Sequence, residues 1–162
     1  MKPYLDNSAV RVYLNSVDDS QPEQYMGVQG LDGEKWAKAM RVQPFGLSTN
    51  PNDGSHGVGL ALGGRREQIF LLGVEDPKTR PKNLPRGATA LYNASGEIIK
   101  MVGKTTVYTG DSFTFKAGGV TVVIDGGGVT ITGGKVTHNG HNIGSTHLHT
   151  KASGPANSGP PV

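Results

Sequence analysis

The sequence has no cysteine, few aromatic residues and no long hydrophobic run, and each deficit excludes a class of protein. Without cysteine there is neither a disulfide framework nor a thiolate metal site, so a transition metal would need histidine or carboxylate ligands. The longest apolar stretches, such as residues 69–74, are too short to span a bilayer. The first ten residues do not resemble a signal peptide, so we expect synthesis in the cytoplasm without export by the usual route.

Charge of one sign is also scarce. The 16 basic and 13 acidic residues leave a net charge of +3, and Arg65 and Arg66 are the only adjacent arginines. Basic residues are scattered and are not interleaved with aromatic residues, so the sequence offers no surface for tracking phosphates. We therefore expect no nucleic-acid partner.

Glycine is the residue in excess, and its distribution divides the chain. Residues 101–162 hold 13 of the 25 glycines, whereas Trp36 and four of the five tyrosines lie in the first hundred residues. So much glycine excludes a helical protein. The change in composition predicts a boundary near residues 95–103 and, with the histidine-rich end, three regions: 1–95, 96–137 and 138–162.

The first region has the pattern of short strands joined by turns. Alternating or β-branched segments predict strands at residues 10–14, 25–31, 34–42, 58–62, 69–74, 88–92 and 97–102. Residues 35–40 are also compatible with a helix on propensity alone. Several short strands without a convincing helix predict an all-β fold with a small closed barrel of OB type.

The second region is an internal repeat. Very short apolar and threonine-rich strands at residues 105–108, 113–115, 120–124 and 129–131 are separated by glycines, which is typical of β-helix rungs. Each rung offers one or two apolar side chains, worth about 1.5–3 kcal/mol each when buried. Ordering each residue costs about 1–2 kcal/mol. The region therefore needs identical neighbours, and we predict an intertwined trimeric β-helix.

The third region concentrates histidine, with four of the five in residues 138–149. His147 and His149 point to the same side of an extended strand, so three chains would place six imidazoles around one axis. Imidazole suits iron, nickel, copper or zinc, and six nitrogens suit an octahedral ion. Because zinc usually takes four ligands, we favour iron(II) shared by three chains, which would close the C-terminal tip.

Other candidate ligands have simpler interpretations. We interpret His138 and His141 as hydrogen-bonding or packing residues, with ion contact as the alternative, and His56 as a surface residue in a polar loop. Asp125 is a corner residue or a threefold calcium ligand, and a chloride ion on the axis is a further candidate. Residues 150–162 form either a flexible tail or an outer layer of the tip.

Two sets of motifs carry a resemblance to a known family. The C-terminal end is similar to the tip of baseplate spike proteins of contractile-tailed phages of the Mu-like and P2-like groups. The first region resembles the N-terminal domain of the Mu-type baseplate assembly protein. The matching stretches are residues 11–17, 29–34, 43–46, 57–64, 87–92, 146–149, 154–155 and 157–160.

The resemblance implies an OB-fold base (1–95), a triple-stranded β-helix (96–137) and an apex (138–162). It implies iron on the axis, held by His147 and His149 of three chains. It also implies a homotrimeric central spike in the virion, at the tip of the tail baseplate. Such a spike docks on the tail hub and punctures the host outer membrane when the sheath contracts.

Two other functions fit the sequence less well. A hydrolase site lacks a carboxylate near the histidines, and six ligands leave no open position for water, so we expect neither an enzyme nor a small-molecule substrate. A trimeric receptor-binding fibre or adhesin of a phage tail is the alternative. It would need a globular C-terminal head, whereas this C-terminus is composed of glycine, proline and small polar residues.

Overall fold

The computed structural model describes residues 8–148, which form strands and two short 3-10 turns. The all-β prediction is confirmed. In this part of the chain no helix is long and apolar enough to cross a membrane. The strands are β1 (Ala9–Asp18), β2 (Tyr25–Gln29), β3 (Lys35–Arg41), β4 (His56–Leu60), β5 (Phe70–Glu75), β6 (Thr89–Tyr92), β7 (Ile98–Val102), β8 (Thr105–Thr109), β9 (Ser112–Ala117), β10 (Val120–Asp125), β11 (Gly128–Thr132), β12 (Thr137–His138) and β13 (His141–Asn142).

Strands β1 to β5 close into a barrel in the order β1-β2-β3-β5-β4, with β1 pairing with both β2 and β4. Neighbouring strands run antiparallel except β3 and β5, which are parallel with Met40 opposite Phe70. The small closed barrel predicted from the sequence is confirmed. Five-stranded Greek-key barrels are the architecture to which OB-type domains belong.

A β-bulge lets the long strand β1 bend around the barrel and direct apolar side chains into the core on both sides of the bulge. Val12 and Leu14 are buried on one side of the strand, and Arg11 and Tyr13 are exposed on the other. The register then shifts between Leu14 and Ser16. The extra residue reverses the alternation, so that Val17 packs against the core. The bulge thus keeps an apolar side chain inside while the strand bends around the barrel.

The helical alternative for residues 35–40 is wrong, because this segment lies in β3. Trp36 and Ala39 are both buried, a spacing of three that resembles one face of a helix. In the barrel this spacing comes from a second irregularity. Val28 lies opposite Trp36, and Met26 lies opposite Ala39, so β3 carries an extra residue between these pairs.

Strand β4 turns its glycines, and not its valine, toward the core. Gly57 and Gly59 are buried, whereas Val58 is 44% exposed. A Cβ atom on Gly59 would lie 2.7 Å from Ile69 Cδ1 and 3.2 Å from Val10 Cγ1. The barrel is therefore narrow at this strand, and glycine is required because neighbouring side chains occupy the space.

A polar contact fixes the connection between β4 and β5. Trp36 Nε1 donates a hydrogen bond to the Arg66 carbonyl oxygen at 2.6 Å. The Arg66 side chain pairs with Glu34, and its guanidinium lies 5.8 Å from the Trp36 ring centroid. The single tryptophan thus has its indole N–H satisfied while its ring packs in the core.

Two further three-stranded sheets follow the barrel. One has the order β6-β7-β8, and the other has the order β11-β10-β9, both with antiparallel neighbours. The chain divides into two compact units between Thr109 and Gly110. The predicted regions 1–95, 96–137 and 138–162 refer to an assembled trimer, so they stay a prediction.

The prediction of short strands closed by glycine is confirmed in the second unit. Ala117 pairs with Val120 around Gly118 and Gly119, and Asp125 pairs with Gly128 around Gly126 and Gly127. Within one chain these strands form an antiparallel meander joined by two-residue turns.

Replacing Gly59 with valine should destabilise the barrel. The added side chain would overpack the space held by Ile69 and Val10, and overpacking typically costs about 1–3 kcal/mol of unfolding free energy. Urea denaturation followed by Trp36 fluorescence measures the change. The exposed neighbour provides the control, because Val58→Thr should change stability by less than about 0.5 kcal/mol. Equal effects of the two substitutions would contradict the narrow-barrel interpretation.

Candidate functional site

One face of the β9–β10–β11 sheet is apolar throughout. Because facing residues in paired strands share a face, the register collects all these side chains on one side. In the described part of the chain much of this face is exposed, since Phe115, Ile131 and Val129 are 56%, 45% and 66% exposed, whereas Phe113 and Val122 are half-buried. The face consists of Phe113, Phe115, Val120, Val122, Ile124, Val129 and Ile131.

The opposite face of the same sheet is mainly polar. Thr121 lies opposite Thr132 and Lys116, and Val123 lies between Thr114 and Thr130. The sheet is therefore amphipathic, like a sheet that covers a core with one side and faces water with the other. Here, the apolar side is the one for which residues 8–148 supply no cover.

The next element is a small hairpin that carries two histidines. Strands β12 and β13 are joined by Asn139 and Gly140, whose φ angles of 48° and 81° are typical of a type I′ turn. His138 lies directly opposite His141. The Ile143 backbone N–H donates to the Val136 carbonyl at 2.8 Å and extends the pairing at the open end.

Asn142 organises the segment that leads from this hairpin to His147. Its Oδ1 accepts a hydrogen bond from the Gly144 backbone N–H at 2.9 Å, and its Nδ2 donates to Thr146 Oγ1 at 2.8 Å. The His147 backbone N–H then donates to the Gly144 carbonyl at 3.1 Å. These bonds make a compact turn that sets the position of the His147 backbone.

The imidazole of His147 is oriented by the same carbonyl. Its Nδ1 lies 2.7 Å from the Gly144 carbonyl oxygen. Because a carbonyl oxygen only accepts, this contact needs a proton on Nδ1, so Nε2 is the ring nitrogen that would bind a metal in the neutral imidazole. Metal-binding histidines typically donate their other ring N–H in this way to a carbonyl or carboxylate. The half-buried side chain of His147 thus fits the role of a metal ligand through Nε2.

The second predicted ligand, His149, lies outside the described residues, as do residues 150–162. Among residues 8–148 no group of three or more histidine, cysteine, aspartate or glutamate side chains could hold a metal ion. No aspartate or glutamate follows Asp125 in the sequence. A metal held by His147 in a closed site would therefore need histidines from beyond this part of the chain or from other copies.

The structure places the remaining candidates in separate positions. Asp125 Oδ1 accepts a hydrogen bond from the Gly127 backbone N–H at 2.8 Å, as a corner residue does. His138 and His141 are exposed in the hairpin. The calcium and chloride predictions stay predictions.

The loop position predicted for His56 is wrong, because His56 is the first residue of β4 and is half-buried. Its ring packs edge-on against Tyr13 with centroids 4.6 Å apart, and its Nδ1 lies 3.0 Å from an Arg11 Nη2 donor. Sequence reasoning assigned it to the preceding turn because that turn is rich in glycine, asparagine and aspartate.

Sequence reasoning also missed the positioning residues of the tip. Neither Asn142 nor Gly144 contains a group that suggested metal chemistry, yet both orient His147. The available signal was the spacing Asn-x-Gly, which is typical of an Asx turn immediately before the histidine motif.

The part of the chain that is most clearly similar to known proteins is the barrel. Residues 11–78 match the family model described as bacteriophage Mu Gp45, N-terminal. This range contains β2 to β5 and most of β1.

The chain is also similar to the baseplate puncturing device gp45 of Escherichia phage Mu, with 30% identity over 91 residues. The aligned region covers 56% of this chain and 46% of the Mu protein, so the chain spans about half the length of that curated relative. The resemblance to Mu-type baseplate spike proteins is therefore confirmed, and it is carried by residues 11–78, which match the family model described as bacteriophage Mu Gp45, N-terminal.

Proposed function

We propose that the chain is the central spike of a contractile phage tail, which pierces the host outer membrane when the sheath contracts. The observation that carries this proposal is the open apolar face of the β9–β10–β11 sheet, in a chain whose barrel matches the Mu Gp45 family model. A protein that acts at the baseplate and is made in the host cytoplasm would leave the cell as part of the virion.

Trimerisation supplies the cover that a single chain lacks. Full burial of a large apolar side chain contributes about 1.5–3 kcal/mol, so a half-exposed side chain gains roughly half of that when a partner covers it. Phe115, Ile124, Val129 and Ile131 are all 44–66% exposed. A continuous exposed apolar face is typical of a protein–protein contact surface. Identical neighbours can bury it if three sheets turn these faces toward one axis as an intertwined β-helix.

Three copies of the chain would also supply enough histidine ligands for the proposed metal site. One chain contributes His147 and, two residues later, His149, and three chains contribute six imidazoles. Six nitrogen ligands suit iron(II) in octahedral geometry. The contact between His147 Nδ1 and the Gly144 carbonyl supports this role, because it holds the ring by one nitrogen and assigns metal binding to the other, Nε2. When bound, the iron would hold three chain ends together at the tip.

The proposed action is mechanical. The barrels would form a broad base that docks on the tail hub, and the glycine-joined strands would form a narrow shaft ending at the iron. Termini otherwise lose order first, so a shared ion protects the tip from fraying under load. We infer no enzymatic activity, no nucleic-acid partner and no small-molecule substrate.

A charge introduced on the apolar face should prevent assembly. Ile131→Asp places a carboxylate in the proposed interface, whereas Thr130→Asp places the same group on the opposite face of the same strand. Light scattering should give three times the 17.0 kDa chain mass for the unmodified protein and Thr130→Asp, and a smaller mass for Ile131→Asp. A monomeric unmodified protein, or equal masses for the two variants, would refute the trimer.

The same pair of substitutions tests the biological role. A phage whose only copy carries Ile131→Asp should adsorb to its host normally but fail to deliver its DNA, while Thr130→Asp phage should infect. Adsorption is measured as loss of free particles, and delivery as entry of labelled DNA. A defect confined to adsorption would replace the piercing function with the receptor-binding alternative.

Removal of both tip histidines should abolish iron binding. In His147→Ala with His149→Ala, elemental analysis should find no iron, compared with about one iron per trimer in the unmodified protein if six imidazoles share one ion. Light scattering should still find a trimer, because the apolar faces are unchanged. His56→Ala, which removes a distant histidine, is the matched control. Retention of stoichiometric iron in the double variant would overturn the assignment.

A further inference from the structure

We propose that His138 and His141 form a second transition-metal site, in which a divalent ion bridges β12 and β13. This site is separate from the tip motif and uses two imidazoles of one chain. It depends neither on trimer formation nor on His147 and His149. The site would bind borderline divalent ions such as copper, nickel and zinc, all of which imidazole coordinates well.

The geometry of the hairpin brings the two histidines together. They are directly opposed in the register on either side of the two-residue Asn139–Gly140 turn. Directly opposed residues of an antiparallel pair have Cβ atoms about 4.5–5.5 Å apart and project from the same face. Metal–nitrogen bonds of about 2.0–2.1 Å require donor atoms roughly 3 Å apart. Side-chain rotation closes that difference without moving the backbone.

The donor atoms are accessible. Both histidines are exposed, so binding displaces solvent and not packed side chains. The side-chain amide of Asn139 lies against His138, with 3.3 Å from Nδ2 to Nε2. Because the amide nitrogen is a donor, this contact is a hydrogen bond when His138 Nε2 is the unprotonated ring nitrogen, which is the form that binds a metal.

The lack of nearby carboxylates in the sequence favours a transition-metal ion over calcium at this hairpin. Since no carboxylate follows Asp125 in the sequence, a hard cation such as calcium would lack its preferred oxygen ligands near this hairpin. Two neutral imidazoles leave the remaining coordination positions to water. The site therefore differs from the proposed six-imidazole cage, and its ion should exchange readily with solvent.

The bound ion would have a structural effect. A two-stranded hairpin is marginally stable alone, and β12 and β13 contain two residues each. A metal joining one side chain from each strand holds the register next to the turn. It would thereby stabilise the element that precedes Asn142 and the His147 turn.

Nickel titration of the full-length chain tests this site. All proteins carry His147→Ala and His149→Ala and are first treated with a chelator. Calorimetry should detect about one nickel ion per chain in this background, because each hairpin offers one pair of ligands. Adding His141→Ala should weaken binding at least about tenfold, since one of two chelating imidazoles is lost.

A register control separates chelation from binding by any two histidines. Exchanging Thr137→His and His138→Thr keeps the number of imidazoles but moves one to the opposite face of the hairpin. This variant should lose affinity as His141→Ala does, whereas adding His56→Ala should change nothing. Zinc should also slow amide exchange at residues 141–143 only when both hairpin histidines are present. Undiminished nickel affinity in the exchanged variant, or no binding in the background protein, would refute the site.

Discussion

The open apolar face of the β9–β10–β11 sheet is the constraint on which the rest of the second unit depends. Its side chains alternate regularly with threonine and other polar residues along the strands. The sheet therefore has a polar face that is suited to water and an apolar face that is not. The strands are joined by two-residue turns, so no loop between them is long enough to fold over the face. If other copies of the chain cover this face, as proposed above, assembly contributes directly to the stability of the folded state.

The barrel differs from this sheet because it buries its apolar side chains within a single chain. Met26, Leu71 and Val12 are almost completely inaccessible, and the closed order of strands leaves no unpaired edge. Its interior is so narrow that β4 fills it with glycine. The chain thus contains a barrel that buries its own core and a separate sheet whose apolar face is largely exposed.

The sequence predicted the elements whose signal is local. Strand alternation and glycine turns identified nearly every strand, since both depend on neighbouring residues. The failures involved contacts between distant residues. The bulge opposite Gly27 made β3 resemble a helix, and the pairing of β1 with β4 placed His56 beside Tyr13. At the tip, spacing alone selected His147, but Asn142 and Gly144 could be recognised as its supports only once the folded turn was known.

The two-residue turns have a further consequence for how such a protein changes over time. Each strand of β9 to β11, with its closing glycines, is a unit of seven or eight residues that pairs with its immediate neighbours in the sheet. Duplication or loss of paired units would add strands to this sheet or remove them and preserve both the alternation of faces and the direction of the chain. The number of strands can therefore vary without a change in the barrel, by small in-frame steps in the gene.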